Sequence, residues 1–127
     1  MSLEQVFEKA GTDQVSLVKD GNIFFLVLNR PFNLIDFDFI NKVNKCLDEV
    51  ENSKDEDAVM VTIGSGSKVF CSGFNLKILG KGDVHSVALG LMLNPLMARI
   101  LTLNVPTLCV FNGYSVAAGV FMGMCHD

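Results

Sequence analysis

Two short segments of the chain share an apolar run, a turn of small residues and a second run with helical character. The first covers residues 69–77 and breaks at Ser72 and Gly73, whereas the second covers residues 112–121 and contains Gly119. Small residues at a helix start leave backbone N–H groups uncovered, and such groups bind an oxyanion. Two donors that face one pocket would therefore form an oxyanion hole.

These segments resemble motifs of the crotonase superfamily, the enoyl-CoA hydratases and isomerases. In that family Phe-Cys-x-Gly-x-x-Leu-Lys precedes Pro-Thr-x-x-x-x-Asn-Gly, and the corresponding blocks here are residues 70–77 and 106–113. Residues 28–31, Leu-Asn-Arg-Pro, are similar to an early turn of the family. Glycine-rich turns are individually weak signals, but three motifs in the same order are specific. The resemblance runs from residue 16 to residue 127.

The resemblance implies a site for a coenzyme A thioester, which is a substrate and not a covalently bound cofactor. Its carbonyl would accept hydrogen bonds from the amides of Phe74 and Ala118, the catalytic donors. Lys77 and also Lys68 could meet the phosphates as cations. The coenzyme A moiety would lie along two segments, with these residues in contact: Phe32, Asn33, Leu34, Phe70, Ser72, Phe74, Leu76 and Lys77. An alternative interpretation makes the small residues simple tight turns.

The catalytic carboxylates are where the sequence departs from the hydratases of the family. Those enzymes need two glutamates, and at the first position this chain has Phe121, which can neither accept a proton nor orient water. Several Δ3,Δ2-enoyl-CoA isomerases manage with only the downstream carboxylate, so Phe121 favours isomerase over hydratase. No glutamate follows Glu56, and the base is expected beyond Asp127. The pair His126-Asp127 is interpreted as structural, because adjacent side chains diverge.

Composition narrows the other possibilities. The 127 residues are 50% hydrophobic and carry a net charge of −4 without a basic stripe, which argues against nucleic-acid binding. The four cysteines lie far apart in apolar settings, so we expect reduced core thiols and no metal site. No uninterrupted apolar stretch approaches the roughly 20 residues of a membrane helix. The excess of apolar surface is interpreted as an interface.

The elements that would position the site follow from periodicity. Residues 15–18 and 23–28 flank Asp-Gly-Asn, which predicts a hairpin. Asp36 is a candidate N-cap for a helix whose apolar positions recur at helical spacing. The pattern is completed by a buried strand over residues 58–63, a long buried helix over residues 86–103 that Pro95 should bend or interrupt, and a strand from residue 107. Alternating strands and helices imply a parallel sheet with helices packed against it.

The sequence therefore predicts an α/β fold, a truncated crotonase-like ββα spiral that lacks the family's C-terminal units and trimerisation helices. Residues 1–127 would be the N-terminal core of an incomplete domain. Two functions stay open: acyl-CoA binding with double-bond isomerisation in fatty-acid β-oxidation, or a non-catalytic module that binds acyl-CoA or a protein. The full-length form would be a homo-oligomer, a trimer or hexamer. The compartment would be the mitochondrion or peroxisome in a eukaryote, and otherwise the cytoplasm.

Overall fold

The computed structural model describes residues 1–127 and contains five helices and six strands. A 3₁₀ turn at Pro31–Asn33 lies between the first hairpin and the second helix. In chain order the elements are α1 (Leu3–Ala10), β1 (Val15–Asp20), β2 (Ile23–Leu28), α2 (Phe37–Glu51), β3 (Val59–Gly64), β4 (Val69–Cys71), α3 (Leu76–Leu79), α4 (Asp83–Leu101), β5 (Thr107–Val110), β6 (Tyr114–Ser115) and α5 (Ala118–Met124).

The main sheet has four strands in the order β1-β2-β3-β5. β1 and β2 form the predicted antiparallel hairpin, in which Gly21 occupies the turn with a φ of 58°. β2, β3 and β5 run parallel, with Ile23 opposite Val59 and Met60 opposite Thr107. The predicted parallel sheet is thus confirmed, with the hairpin adding one antiparallel strand at its edge.

A second, two-stranded sheet pairs β4 with β6 in parallel. The amide of Val116 donates to the carbonyl of Cys71 at 3.0 Å, which extends this pairing by one residue. The amide of Ile35 donates to the carbonyl of Gly73 at 2.8 Å and ties the same segment to the chain before α2. This small sheet was not predicted, and it brings the two small-residue turns next to each other.

Helix α2 begins as the sequence predicts. The carboxylate of Asp36 accepts a hydrogen bond from the amide of Phe39 at 2.8 Å, which satisfies one of the free donors of the first turn. The apolar face of α2 packs into the main core, which also contains side chains of β2, β3, β4 and α4. A smaller cluster, centred on Val6 and Val27, packs α1 against the opposite face of the sheet.

Helix α4 runs through Pro95 without interruption. Leu93 and Ile100 are buried as predicted, whereas Val87 and Leu91 are 59% and 68% exposed. The prediction that Val87 and Leu91 are buried was wrong because α4 is apolar nearly all round, so the spacing of its apolar residues does not identify the inner face. With a mean hydropathy of 1.4, α4 is also long and apolar enough to cross a membrane by length and composition. The core helices of soluble proteins can also be this long and apolar, so length and composition alone do not identify a membrane span.

Candidate functional site

The first small-residue turn connects β4 to α3. Gly73 has a φ of +84°, a conformation that favours glycine, and it turns the chain away from the strand. The side chain of Asn75 caps α3 by accepting from the amide of Lys77 at 3.0 Å. The amide of Phe74, between Gly73 and Asn75, donates no hydrogen bond within the chain. The turn therefore carries one uncommitted backbone donor.

The second turn connects β6 to α5 through Ala117, whose φ is +49°. Ala118 is the first residue of α5 and is 6% exposed. The next amides, of Gly119 and Val120, bond back to the carbonyls of Val116 and Ala117 at 3.0 and 2.9 Å. No turn or cap hydrogen bond uses the amide of Ala118, which as the first amide of a helix has no intrahelical acceptor.

The two turns lie in direct contact. A Cβ atom placed on Gly73 would be 3.0 Å from the carbonyl oxygen of Val116 and 3.4 Å from the amide nitrogen of Ala118. On the other side of the contact, a Cβ on Gly119 would be 2.5 Å from the carbonyl oxygen of Cys71. Both positions therefore require glycine for the observed packing. That the amides of Phe74 and Ala118 point into one pocket stays a prediction.

A cavity of about 360 Å³ lies between the 3₁₀ turn and the loop after β3. Phe32 and Asn33, two of the predicted coenzyme A contacts, belong to its lining, and Phe32 is 59% exposed. Phe32 holds a φ of +55°, which is uncommon for a residue other than glycine. The full lining is Arg30, Phe32, Asn33, Ser65, Gly66, Ser67, Lys68 and Val69.

The cationic side chains around this cavity differ in whether they form an ion pair. Arg30 donates two hydrogen bonds to the carboxylate of Asp36, at 2.7 and 2.6 Å, and this bidentate pair holds the pKa of Asp36 below its usual range. Lys68 and Lys77 are both exposed, and neither has a carboxylate within 4.0 Å. Two lysines are therefore free to meet an anion, whereas the charge of Arg30 is neutralised.

Two predicted contact residues are committed to the fold instead. Phe70 is 0% exposed and packs edge-on against Phe111 at 5.0 Å, so its side chain has no surface to offer a ligand. Asn33 is 3% exposed, its amide group donates to the carbonyl of Phe70 at 2.8 Å, and its Oδ1 accepts from the amide of Arg30 at 2.8 Å. The side chain of Asn33 therefore holds the 3₁₀ turn to β4.

The remaining predicted contacts lie at or near the surface. Leu34 and Ser72 are half-buried, and the amide of Ser72 donates to the carbonyl of Phe32 at 3.0 Å, which joins the two predicted coenzyme A segments. Leu76 is 75% exposed on α3, beside the exposed Lys77. The two predicted coenzyme A segments are therefore adjacent in the structure, and their contact with a ligand stays a prediction.

The C-terminal polar residues have structural roles, as predicted. Asp127 accepts a hydrogen bond from the amide of Thr107 at 2.9 Å. His126 lies 2.8 Å from the hydroxyl of the buried Thr62 through Nε2 and 3.0 Å from the carbonyl of Gly123 through Nδ1. Burial lowers the pKa of His126. Phe121 is 62% exposed on α5, one turn beyond the amide of Ala118, and offers no acid or base there.

Sequence reasoning missed two parts of the site. Ser65, Gly66 and Ser67 line the cavity beside Lys68, but their composition signalled only the end of a strand. The pairing of Arg30 with Asp36 was also missed, because a separation of six residues across a turn matches no regular periodicity. An arginine shortly before a helix-capping aspartate could have suggested it.

Comparison with known proteins agrees with this arrangement. A family model described as enoyl-CoA hydratase/isomerase matches residues 19–127. Enoyl-CoA delta isomerase 3 of Arabidopsis thaliana is 28% identical over 88% of this chain and 49% of its own length. A probable enoyl-CoA hydratase of Mycobacterium tuberculosis is 30% identical over 91% of this chain and 45% of its own length. The chain therefore spans about half the length of these relatives.

Solved structures show the same fold. The crystal structure of an enoyl-CoA hydratase from Bacillus anthracis superimposes with a TM-score of 0.84 at 20% identity, covering 91% of this chain and 46% of the hydratase. At that identity the likeness concerns the fold alone. The α/β arrangement described above is thus a crotonase-type fold over about half the length of its neighbours.

Proposed function

Because the chain belongs to the enoyl-CoA hydratase/isomerase family, we propose that it supplies the thioester-binding half of an acyl-CoA site. The amides of Phe74 and Ala118 hold the thioester carbonyl and stabilise the enolate that forms when a proton leaves the carbon beside it. The base that moves this proton comes from outside these residues. The reaction is migration of a double bond from position 3 to position 2 of an enoyl-CoA.

The observation that carries this proposal is the contact between the two turns. Gly73 lies against Val116 and Ala118 without a side chain between them, and the amides of Phe74 and Ala118 have no acceptor in the turns. A buried N–H group without an acceptor costs free energy, so a ligand oxygen that accepts from it is favoured. Ala118 is the buried member of the pair.

Isomerisation is preferred over hydration because of Phe121. Addition of water needs one group to activate the water and another to protonate the carbon, whereas double-bond migration needs a single group that carries a proton between two carbons. The aromatic ring of Phe121 stands one helical turn from Ala118 and can do neither task. The relatives include both delta isomerases and a probable hydratase, so this choice rests on Phe121 alone.

The coenzyme A part of the ligand is assigned to the cavity beside the 3₁₀ turn. Its phosphates would meet Lys68, which lines the cavity, and Lys77, which is exposed on α3. Phe32 offers an exposed ring for the adenine base. No carboxylate lines this cavity, so an anionic ligand meets no like charge there.

A second function follows from the same residues. The segment from Ile100 to Cys125 contains no charged residue, and the one nearby carboxylate, Asp127, is engaged by Thr107. A chain without a base at the site would bind acyl-CoA without converting it. This non-catalytic module remains the alternative.

The test compares octanoyl-CoA with its thioether analogue, which has the same acyl chain but lacks the carbonyl oxygen. Two net hydrogen bonds of about 1 kcal/mol each predict roughly 10- to 30-fold tighter binding of the thioester in calorimetry. Equal affinities would contradict the oxyanion hole but leave coenzyme A binding intact. If the Lys68→Ala variant binds both the thioester and the thioether more weakly, the result would separately support the contact of Lys68 with the phosphates.

A further inference from the structure

The side chain of Asn112 binds the loop that follows β3. Its amide group donates to the carbonyl of Gly64 at 2.6 Å and to the carbonyl of Gly66 at 2.7 Å, while its Oδ1 accepts from the amide of Gly64 at 3.1 Å. The reverse orientation of the side chain would place Oδ1 against two carbonyl oxygens, so these hydrogen bonds also fix its orientation. Asn112 therefore connects the end of β5 to a loop that lies 46 to 48 positions earlier in the chain.

The next two residues of the chain hold the far end of the same loop. The amide of Tyr114 donates to the carbonyl of Lys68 at 3.0 Å. A Cβ atom on Gly113 would be 2.5 Å from the amide nitrogen of Val69 and 2.8 Å from the carbonyl oxygen of Lys68, so no side chain fits there. The backbone of Lys68 is thus placed by the same segment that carries Asn112.

The first residue of the loop also lies close to the 3₁₀ turn on the other side of the cavity. A Cβ atom on Gly64 would be 3.2 Å from the Oδ1 of Asn112 and 3.6 Å from the Nδ2 of Asn33. Asn33 belongs to the lining of the cavity, and its side chain holds the 3₁₀ turn to β4. The two asparagine side chains therefore set the spacing between the loop and the 3₁₀ turn, which form the two sides of the cavity.

The rest of the loop offers hydrogen-bond donors to the cavity. Gly66, Ser67 and Lys68 all line it, and their three backbone amides donate no hydrogen bond within the chain. Successive backbone N–H groups in a turn form a concave site for an anion. Asn112 occupies carbonyl groups of the loop and leaves these three amides uncommitted beside the ammonium group of Lys68.

We propose that Asn112 is a positioning residue for the phosphates of the acyl-CoA, because it holds residues 64–68 in the conformation that binds them. This role rests on the proposed function, which assigns coenzyme A to the cavity. Asn112 is not part of the cavity lining, so it acts through the loop and not by touching the ligand. A loop that is fixed before binding loses less conformational freedom when the ligand arrives, which strengthens the affinity.

The contact with the thioester carbonyl should not depend on Asn112. The second small-residue turn is tied to β4 separately, since the amide of Val116 donates to the carbonyl of Cys71 at 3.0 Å. Loss of the Asn112 side chain is therefore expected to weaken recognition of the phosphates and to leave recognition of the thioester unchanged. This separation distinguishes a positioning role from a general contribution to stability.

The experiment compares octanoyl-CoA with octanoyl-pantetheine, which has the same thioester but no phosphate, by calorimetry on the purified chain. The wild type is expected to bind octanoyl-CoA more tightly. Asn112→Ala should weaken octanoyl-CoA binding at least about tenfold and change octanoyl-pantetheine binding by less than about twofold. A residue that only stabilises the fold would change both affinities or neither.

A second variant, Asn112→Asp, keeps the size of the side chain and the acceptor for the amide of Gly64 but removes both donors. It should fold even if alanine is not tolerated, which circular dichroism checks, and should show the same selective loss. The added charge is controlled with salt: at about 0.5 M NaCl, where charges are screened beyond roughly 4 Å, Asn112→Asp should still bind octanoyl-CoA more weakly than the wild type does.

The matched control is Asn22→Ala. It removes a hydrogen bond of the same kind, from an asparagine side chain to the carbonyl of Asp57 at 2.7 Å, at the opposite end of β2 from the cavity. Both affinities should stay at their wild-type values in this variant.

The outcomes separate this role from the proposed function. A wild-type chain that binds the two ligands equally would contradict the assignment of coenzyme A to the cavity, and the role of Asn112 with it. A wild-type preference for octanoyl-CoA that persists in the Asn112 variants would overturn the positioning role alone. Equal weakening of both ligands, a loss in Asn112→Asp that disappears in salt, or a loss of preference in Asn22→Ala would also overturn it.

Discussion

Gly73 and Ala118 lie 45 positions apart in the chain, yet a Cβ atom on Gly73 would be only 3.4 Å from the amide nitrogen of Ala118. The short pairing of β4 with β6 produces this contact, because it aligns the two turns that follow these strands. The proposed function depends on this contact more than on any side chain.

Gly73→Ala is expected to destabilise the protein more than Gly21→Ala. Both positions have a positive φ, of 84° and 58°, and an alanine there costs about 1–2 kcal/mol of backbone strain. Only at Gly73 would the new Cβ also meet neighbours, since nothing lies within 4 Å of a Cβ on Gly21. Urea denaturation of both variants measures the difference, and equal losses would show that the contact between the turns is looser than described.

The ion pair of Arg30 with Asp36 should contribute measurably to stability. Both side chains are about 13–14% exposed and form two hydrogen bonds, so Asp36→Asn is expected to cost about 1–3 kcal/mol. Because the pKa of Asp36 is lowered in the folded state, this stability is present at neutral pH and is lost as the pH falls below about 4. The matched variant Asp38→Asn removes an exposed pair with Lys42 and should cost about 0.5 kcal/mol or less.

His126 should make the stability sensitive to mild acid. Burial lowers its pKa in the folded state, while the carbonyl of Gly123 and the carboxylate of Asp127 oppose that shift. In the unfolded chain the pKa of a histidine is about 6.5. The free energy of unfolding is therefore highest above that pH and declines as the pH falls, because protonation favours the unfolded state. In the His126→Gln variant the urea midpoint should change less between pH 7.5 and pH 5 than in the wild type. His85→Gln, at an exposed position, should keep the pH dependence of the wild type. A wild-type midpoint that is constant over this range would contradict the burial of His126.

Hydration of a 2-enoyl-CoA should not be detectable with the 127-residue chain. The resemblance places Phe121 where the hydratases of the family have a carboxylate, and the one carboxylate near it in sequence, Asp127, is bonded to Thr107. Phe121→Glu alone should not restore activity, because a second carboxylate is still needed. Measurable hydration by the wild-type chain, followed by absorbance of the enoyl thioester, would show that the role given to Phe121 is wrong.

The sequence predicted much of this fold because several elements carry their own local signals. The Asp-Gly-Asn turn set the register of the hairpin, and Asp36 marked the start of α2. β6 has only two residues, too few to show any periodicity, so its pairing with β4 was missed. The inner face of α4 was partly missed because apolar residues surround the helix.

The site was predicted less completely than the fold. Ordered motifs located the two turns, and the structure brings Gly73 and Ala118 together. Phe70 was assigned to the ligand although it is a core residue, because a motif records position in the chain and not which side of a strand a side chain occupies. Likewise, no pattern around Asn33 indicated that its side chain holds the 3₁₀ turn to β4.

The carbonyl carbon of bound octanoyl-CoA, labelled with ¹³C and observed by NMR, tests the oxyanion hole most directly. Hydrogen bonds from Phe74 and Ala118 would polarise the carbonyl and move its resonance downfield relative to free ligand. An ester bond in place of the Ala118 amide removes this donor without adding atoms at the contact with Gly73, and should reduce the shift. The same ester at Asp83, the first position of α4, should leave it unchanged. A resonance that does not move in the wild-type complex would contradict the account.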